Sequence, residues 1–185
     1  FIGRETEIKM ISNQLLDPAC RMVTLTGPGG YGKTRLAIQV GSKLEPQFPD
    51  GVIFVSLVGI ERTESLLPAI ADSLGLTFSG NAAPIVQVTN FLRSKNMLVV
   101  IDNMEHLIEA SSVIGEILAR TQHVKMIITS REHLNLQWEW LFEIQGLPIP
   151  KEAAEKIGFQ FAEDLDQAFK TASALLPPNP EVHVV

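Results

Sequence analysis

Short runs of apolar, β-branched residues alternate along the chain with segments whose apolar positions recur every three or four residues. The first kind reads as buried strand and the second as helix with one apolar face. Their alternation predicts a parallel sheet covered by helices. An opening helix is predicted from about Glu5 to Leu16, stopped by Asp17-Pro18. Met22 to Thr26 is the first strand, and a helix with Leu36, Ala37, Val40 and Leu44 on one face follows it and ends at Pro46. Val52 to Leu57 is the second strand. Leu66, Leu67, Ile70, Ala71 and Leu74 then fall at helical spacing, and a further helix covers about Ile85 to Leu92. Met97 to Ile101, the most apolar run, predicts a central third strand buried on both faces. A long helix is expected next, with Leu107, Ala110, Ile114, Ile117 and Leu118 facing inward. Lys125 to Thr129 and about Glu139 to Ile144 are the fourth and fifth strands, with Trp138 and Trp140 expected to pack the core or a sheet edge.

The pattern breaks at Gly146-Leu147-Pro148-Ile149-Pro150, so one domain is placed over residues 1–150. Residues 151–185 read as an amphipathic C-terminal helical segment (Ala154, Ile157, Phe161, Leu165, Ala168, Phe169, Ala172) that stops at Pro177-Pro178. The chain opens at Phe1 inside what reads as structured sequence, and it is expected to be a piece of a larger protein. Composition changes this picture little: 185 residues, 45% hydrophobic, suffice for one full core and a small appendage. No apolar run approaches the roughly 18 residues of a membrane span, so no membrane partner is expected. The single Cys20 excludes an internal disulfide framework, and a cytoplasmic setting is expected. The net charge of −6 speaks against nucleic acid as a direct partner of this domain.

The candidate chemistry begins at Gly27-Pro28-Gly29-Gly30-Tyr31-Gly32-Lys33-Thr34, which matches G-x-x-x-x-G-K-[ST] between a strand and a helix. Small residues let successive backbone N–H groups converge on phosphates, and the helix adds the positive end of its dipole. Lys33 reaches the β- and γ-phosphates, and the Thr34 hydroxyl serves Mg²⁺. The predicted nucleotide-binding set runs from Gly27 through Arg35, with Tyr31 directed to solvent, and the expected ligands are ATP or ADP with Mg²⁺.

The third strand ends in Asp102, placed to hold Mg²⁺ through its water shell; the alternative is an Asp that caps the next turn. Hydrolysis needs a group to orient or deprotonate water, and the next residue, Asn103, cannot act as a base. Glu105 and His106 either approach the γ-phosphate or begin the following helix, so any hydrolysis is expected to be slow. The fourth strand ends in Thr129-Ser130-Arg131. Arg131 there either reports the γ-phosphate or forms a surface ion pair with a residue such as Glu132.

Phe1-Ile2-Gly3-Arg4-Glu5, the phosphate loop, Leu98 to His106 and Ile127 to Glu132 occur in that order. Together they resemble the STAND class of signal-transduction ATPases, close to the NB-ARC type, and within it the ATPase module of bacterial multidomain transcriptional regulators. The resemblance implies a three-layer P-loop NTPase fold whose parallel sheet has the order 5-1-4-3-2, with helices on both faces. It also implies that Phe1, Ile2 and Arg4 lie at the adenine; from the residues alone they would be a hydrophobic staple and a surface charge. Members of the class are switches, ADP-bound at rest and self-associating when ATP-bound, and a nucleotide-covering helical domain is expected after the core. The leading expectation is therefore an ATP/ADP-dependent regulatory switch with weak Mg-dependent ATPase activity. An AAA+-like motor or loader is the alternative, and it usually has an acidic residue where this chain has Asn103. A small-molecule kinase would need an acceptor site and a basic lid. A purely structural domain has no use for Lys33 and Thr34.

Overall fold

The computed structural model describes residues 3–146, together with Gln167 and Lys170. The chain divides into two units, Phe1–Gly146 and Leu147–Val185, and the sheet lies in the first. Apart from Gln167 and Lys170, the helix expected within 151–177 falls outside the described residues.

Five strands, β1 (Met22–Thr26), β2 (Val52–Ser56), β3 (Leu98–Asp102), β4 (Lys125–Thr129) and β5 (Glu139–Glu143), form one sheet in the order β2-β3-β4-β1-β5. All its pairings are parallel, and read from the other edge this is the expected order 5-1-4-3-2. Alternate residues of each inner strand feed opposite faces. Val23, Leu25, Leu98, Val100 and Ile127 pack under α1 (Glu5–Leu16) and α2 (Lys33–Leu44). Met22, Val99, Ile101, Met126 and Ile128 pack under α3 (Leu66–Ser73), α4 (Pro84–Leu92) and α5 (Ser111–Arg120). A strand covered on both faces has no polar side to show, which is why β1 and β3 are buried at every position. Each large apolar side chain so covered contributes about 1.5–3 kcal/mol. The outer strands differ: β2 leaves Phe54 exposed and β5 leaves Leu141 exposed. Trp138 and Trp140 are half-buried against the two cores, as expected.

The long helix expected after β3 is broken. Two 3₁₀ turns, Met104–His106 and Ile108–Ala110, precede α5. Asn103 enters the first turn with φ of 70°, and Leu107 joins the turns with φ of −126° and ψ of 28°, outside the helical region, so no continuous α-helix can form through them. Leu107 and Ala110 still face the core because residues three apart share a side of a 3₁₀ turn. The helical period was thus legible while the helix type was not.

Cys20 is fully buried, and desolvation pushes its thiol up to about 11, so it stays protonated and inert. None of the described helices is long and apolar enough to cross a membrane.

Candidate functional site

The loop between β1 and α2 leaves the sheet beside the end of β5. Gly27 has φ of +143°, and a Cβ there would sit 2.9 Å from the Ile144 carbonyl oxygen, so only glycine allows this exit. Gly32, with φ of +84°, caps α2 in a left-handed conformation, and its carbonyl accepts the first helical hydrogen bond, from the Leu36 N–H, at 2.9 Å. The first turn of α2 therefore opens toward the loop, where the helix dipole favours an anion. Lys33 is 8% exposed, and its ammonium donates to the carbonyl oxygens of Gly27 (2.6 Å) and Pro28 (3.1 Å). The loop thus stores a cation on neutral carbonyls that a phosphate can outbid, because bonds between two charged groups are the stronger kind.

Asp102 brings its carboxylate to the same place from the end of β3. It is 5% exposed, and one oxygen, Oδ1, accepts from both the Thr34 hydroxyl (2.7 Å) and the Thr129 hydroxyl (2.6 Å). The Thr129 oxygen in turn accepts from the Asn103 N–H at 2.9 Å. A buried anion is costly unless hydrogen-bonded, and these donors fix its orientation. The hydroxyl of Thr34 and the carboxylate of Asp102 are hard oxygen ligands in contact with one another. That donor set fits Mg²⁺, which favours one or two protein oxygens beside phosphates and water.

Arg131 follows β4. Its Nε lies 3.1 Å from Glu105 Oε1, and its Nη2 lies 3.7 Å from where a Cβ on Gly29 would be. The surface pair anticipated with Glu132 is therefore replaced by one across the site. Glu105 heads no helix but sits in the 3₁₀ turn after Asp102, its side chain 10% exposed, while His106 in the same turn points to solvent. Lys33, Thr34, Arg35, Asn103, Glu105 and Arg131 line one open cleft of about 360 Å³ with the loop glycines. A larger cleft of about 560 Å³ shares Arg131 with it and is lined by Pro28, His133 and Glu143. The smaller one holds the chemistry, since Lys33 and Thr34 open onto it.

Arg4 is not the surface charge that the residues alone suggested; it is 4% exposed. Its guanidinium donates to Glu7 Oε1 (2.7 Å), to the Gln145 carbonyl (2.7 Å) and to the Tyr31 carbonyl (3.3 Å). It ties the start of α1, the tip of the phosphate loop and the exit of β5 together. Tyr31 is 39% exposed, and its ring lies 3.6 Å from where a Cβ on Gly146 would sit. Phe1 and Ile2, the other two residues expected at an adenine, fall outside the described residues.

The structure thus gathers Lys33, Thr34, Arg35, Asp102, Glu105 and Arg131 from the start of α2 and the ends of β3 and β4. Sequence reasoning missed Thr129, the residue that holds Asp102 in place. Its signal was a hydroxyl at the end of the strand beside the acidic one, which carries meaning only once β3 and β4 are known to be neighbours.

A glycine loop opening a helix after β1, a lysine and a threonine at its end, and a buried acid at the tip of β3 define a P-loop nucleotide-binding ATPase module. The NB-ARC domain pattern matches residues 4–134, and the chain belongs to that family, a P-loop ATPase of the STAND class. Over 136 residues the chain is 35% identical to a Mycobacterium tuberculosis protein whose name places it provisionally among the HTH-type transcriptional regulators. The match covers 73% of this chain and 15% of that protein. An uncharacterized protein of the same organism is 29% identical over 156 residues, covering 84% of this chain and 39% of that one. Among solved structures, Cdc6p from Pyrobaculum aerophilum superposes with a TM-score of 0.62 at 16% identity, over 84% of this chain and 48% of that one. A chain of Drosophila ORC bound to DNA gives 0.61 at 18% identity, over 85% and 46%. At such identities these two likenesses concern the fold.

Proposed function

We propose that this chain is an ATP/ADP-binding switch domain with slow Mg-dependent ATP hydrolysis, acting within a larger signalling or transcription-regulatory protein of the cytoplasm. In this reading residues 1–150 are the nucleotide-binding domain and residues 151–185 a separate C-terminal segment. The observation that carries it is the convergence of Lys33, Thr34 and Arg131 on one cleft beside Asp102. A site for a diphosphate needs the loop, Lys33 and the oxygens of Thr34 and Asp102. Arg131 is a further cation, placed for a third phosphate.

The residues divide the work. The N–H groups of Gly29 to Thr34 cradle the phosphates, and Lys33 exchanges its two carbonyl partners for phosphate oxygens. Thr34 and Asp102 would hold Mg²⁺, which would supply positive charge to the bound phosphates. Thr129 keeps Asp102 turned toward Thr34. Glu105 is the carboxylate available to orient water, and its ion pair with Arg131 together with Asn103 at the position after Asp102 supports slow turnover. Arg4, Phe1 and Ile2 are assigned to the adenine side, Arg4 through its hold on the loop backbone. Self-association in the ATP-bound state belongs to the full-length protein and follows the class. The regulatory setting is supported by the relative named above, of which this chain matches only 15%.

Calorimetric titration with ADP, ATP and GTP, with and without Mg²⁺, tests the reading. Adenine-selective binding is expected, lost in Lys33→Ala by about tenfold or more, since each charge-assisted bond is worth about 1.5–3 kcal/mol. Undiminished binding by a folded Lys33→Ala variant removes the claim. A turnover near the enzyme median of about 10 per second would favour a motor over a switch.

A further inference from the structure

We propose that Glu105 sets the preference of this site between a nucleoside triphosphate and a diphosphate, by holding Arg131 in an ion pair that only a third phosphate displaces. The proposal rests on the reading of Arg131 as the contact to that phosphate. Glu105 is then a positioning residue, acting on the nucleotide through Arg131.

Three observations carry it. Arg131 Nε is bound to Glu105 Oε1 at 3.1 Å, so the cation facing the phosphate cleft is already neutralised by the protein itself. The two partners are unequally placed: the Glu105 side chain is 10% exposed and held in its 3₁₀ turn, whereas Arg131 is 61% exposed. The arginine is the member that can leave. Its Nη2 is 3.7 Å from the Cβ position at Gly29, so a side-chain rotation, without backbone movement, carries it over the loop. Lastly, Glu105 Oε2 is buried and has no hydrogen-bond partner among the described residues. A carboxylate satisfied on one oxygen and orphaned on the other is a poorly solvated anion.

A γ-phosphate carries more negative charge than one carboxylate and offers more acceptor oxygens, so it competes for the guanidinium. When Arg131 turns to it, Glu105 loses its counter-ion and gains the freedom to turn toward water. A diphosphate ends short of Arg131 and leaves the pair closed. The cost of opening the pair therefore falls on the triphosphate alone. The same carboxylate that lowers triphosphate affinity becomes available beside the nucleotide only after the triphosphate has bound.

The test is a thermodynamic cycle on the 185-residue chain, using a non-hydrolysable ATP analogue and ADP, both with Mg²⁺. Glu105→Gln keeps the shape and removes the charge. The ratio of analogue to ADP affinity is expected to rise about fivefold, the worth of a partly exposed ion pair. In an Arg131→Ala background the same substitution should leave that ratio unchanged, because there is no arginine to release. A merely structural role for Glu105 would move both affinities together, and an unchanged ratio in Glu105→Gln overturns the latch. A rise that persists without Arg131 also overturns it, showing plain repulsion between Glu105 and phosphate. Failure of the wild-type chain to bind ADP would instead overturn the nucleotide reading itself, so the two failures are distinguishable.

Discussion

At the scale of single residues, the site is governed by which charges are satisfied and which are held in reserve. Asp102 is buried and doubly hydrogen-bonded through one oxygen. Lys33 is buried on carbonyls, and Arg131 is paired across the cleft. Thr129 is the least conspicuous member and the most informative to change. Thr129→Val keeps its shape while removing the bond to Asp102 and the acceptor for the Asn103 N–H. A loss of about 1–3 kcal/mol in stability is expected from denaturant midpoints. Nucleotide affinity should fall more with Mg²⁺ than without it. If the metal-dependent share of the affinity stays the same, Thr129 supports the sheet and not the metal ligand.

At the scale of elements, the phosphate loop is shaped by its approach to β5 as much as by its own sequence. Gly27 and Gly30 both have positive φ, yet only Gly27 faces a backbone atom at 2.9 Å, and nothing lies near the Cβ position of Gly30. Gly30→Ala is expected to cost about 1–2 kcal/mol, the penalty of the left-handed conformation alone. Gly27→Ala should cost more, on the order of 3 kcal/mol or above, because the Ile144 carbonyl must also move. Urea unfolding of the two variants side by side checks this. Equal losses would mean that the approach to β5 adds nothing. The broken helix after β3 belongs to this scale too, since it lets Asn103 turn and sets Glu105 under Arg131.

At the scale of the whole molecule, the outer half of the sheet is clamped away from the site. Asp50, just before β2, accepts from the Asn96 N–H at 2.8 Å and from Lys95 Nζ at 2.9 Å, joining the entry of β2 to the entry of β3. The Asn96 N–H, with help from Lys95, holds its carboxyl below the ordinary value of 3.8. A carboxyl depressed in the folded state favours folding above its unfolded pKa, and that contribution disappears as pH falls through the folded one. Stability of the native chain should therefore drop between about pH 5 and pH 2, and Asp50→Asn should make the drop shallower. Urea midpoints across that range measure it; parallel curves for the two proteins would show that Asp50 does not contribute.

How much of this was legible in the sequence depends on the range of the interaction that decides each feature. Opening helix α1 and strands β1 and β4 were readable to the residue, because a cap, a proline or an apolar run is a local signal. The glycine loop with Lys33 and Thr34 was readable for the same reason, whereas the strand order came only from the family resemblance that the four motifs carry. Tertiary structure alone decided what meets what. It buried Arg4 against Tyr31 and Gln145, pairing residues 27 and 141 positions apart in the sequence. Thr129 was set on Asp102, and Arg131 was turned toward Glu105 rather than toward its neighbour Glu132. Composition and spacing determine which segments bury their apolar faces, since that depends on period. The partners of a buried charge depend on which strand ends become neighbours, and parallel crossovers bring those ends together from distant parts of the chain.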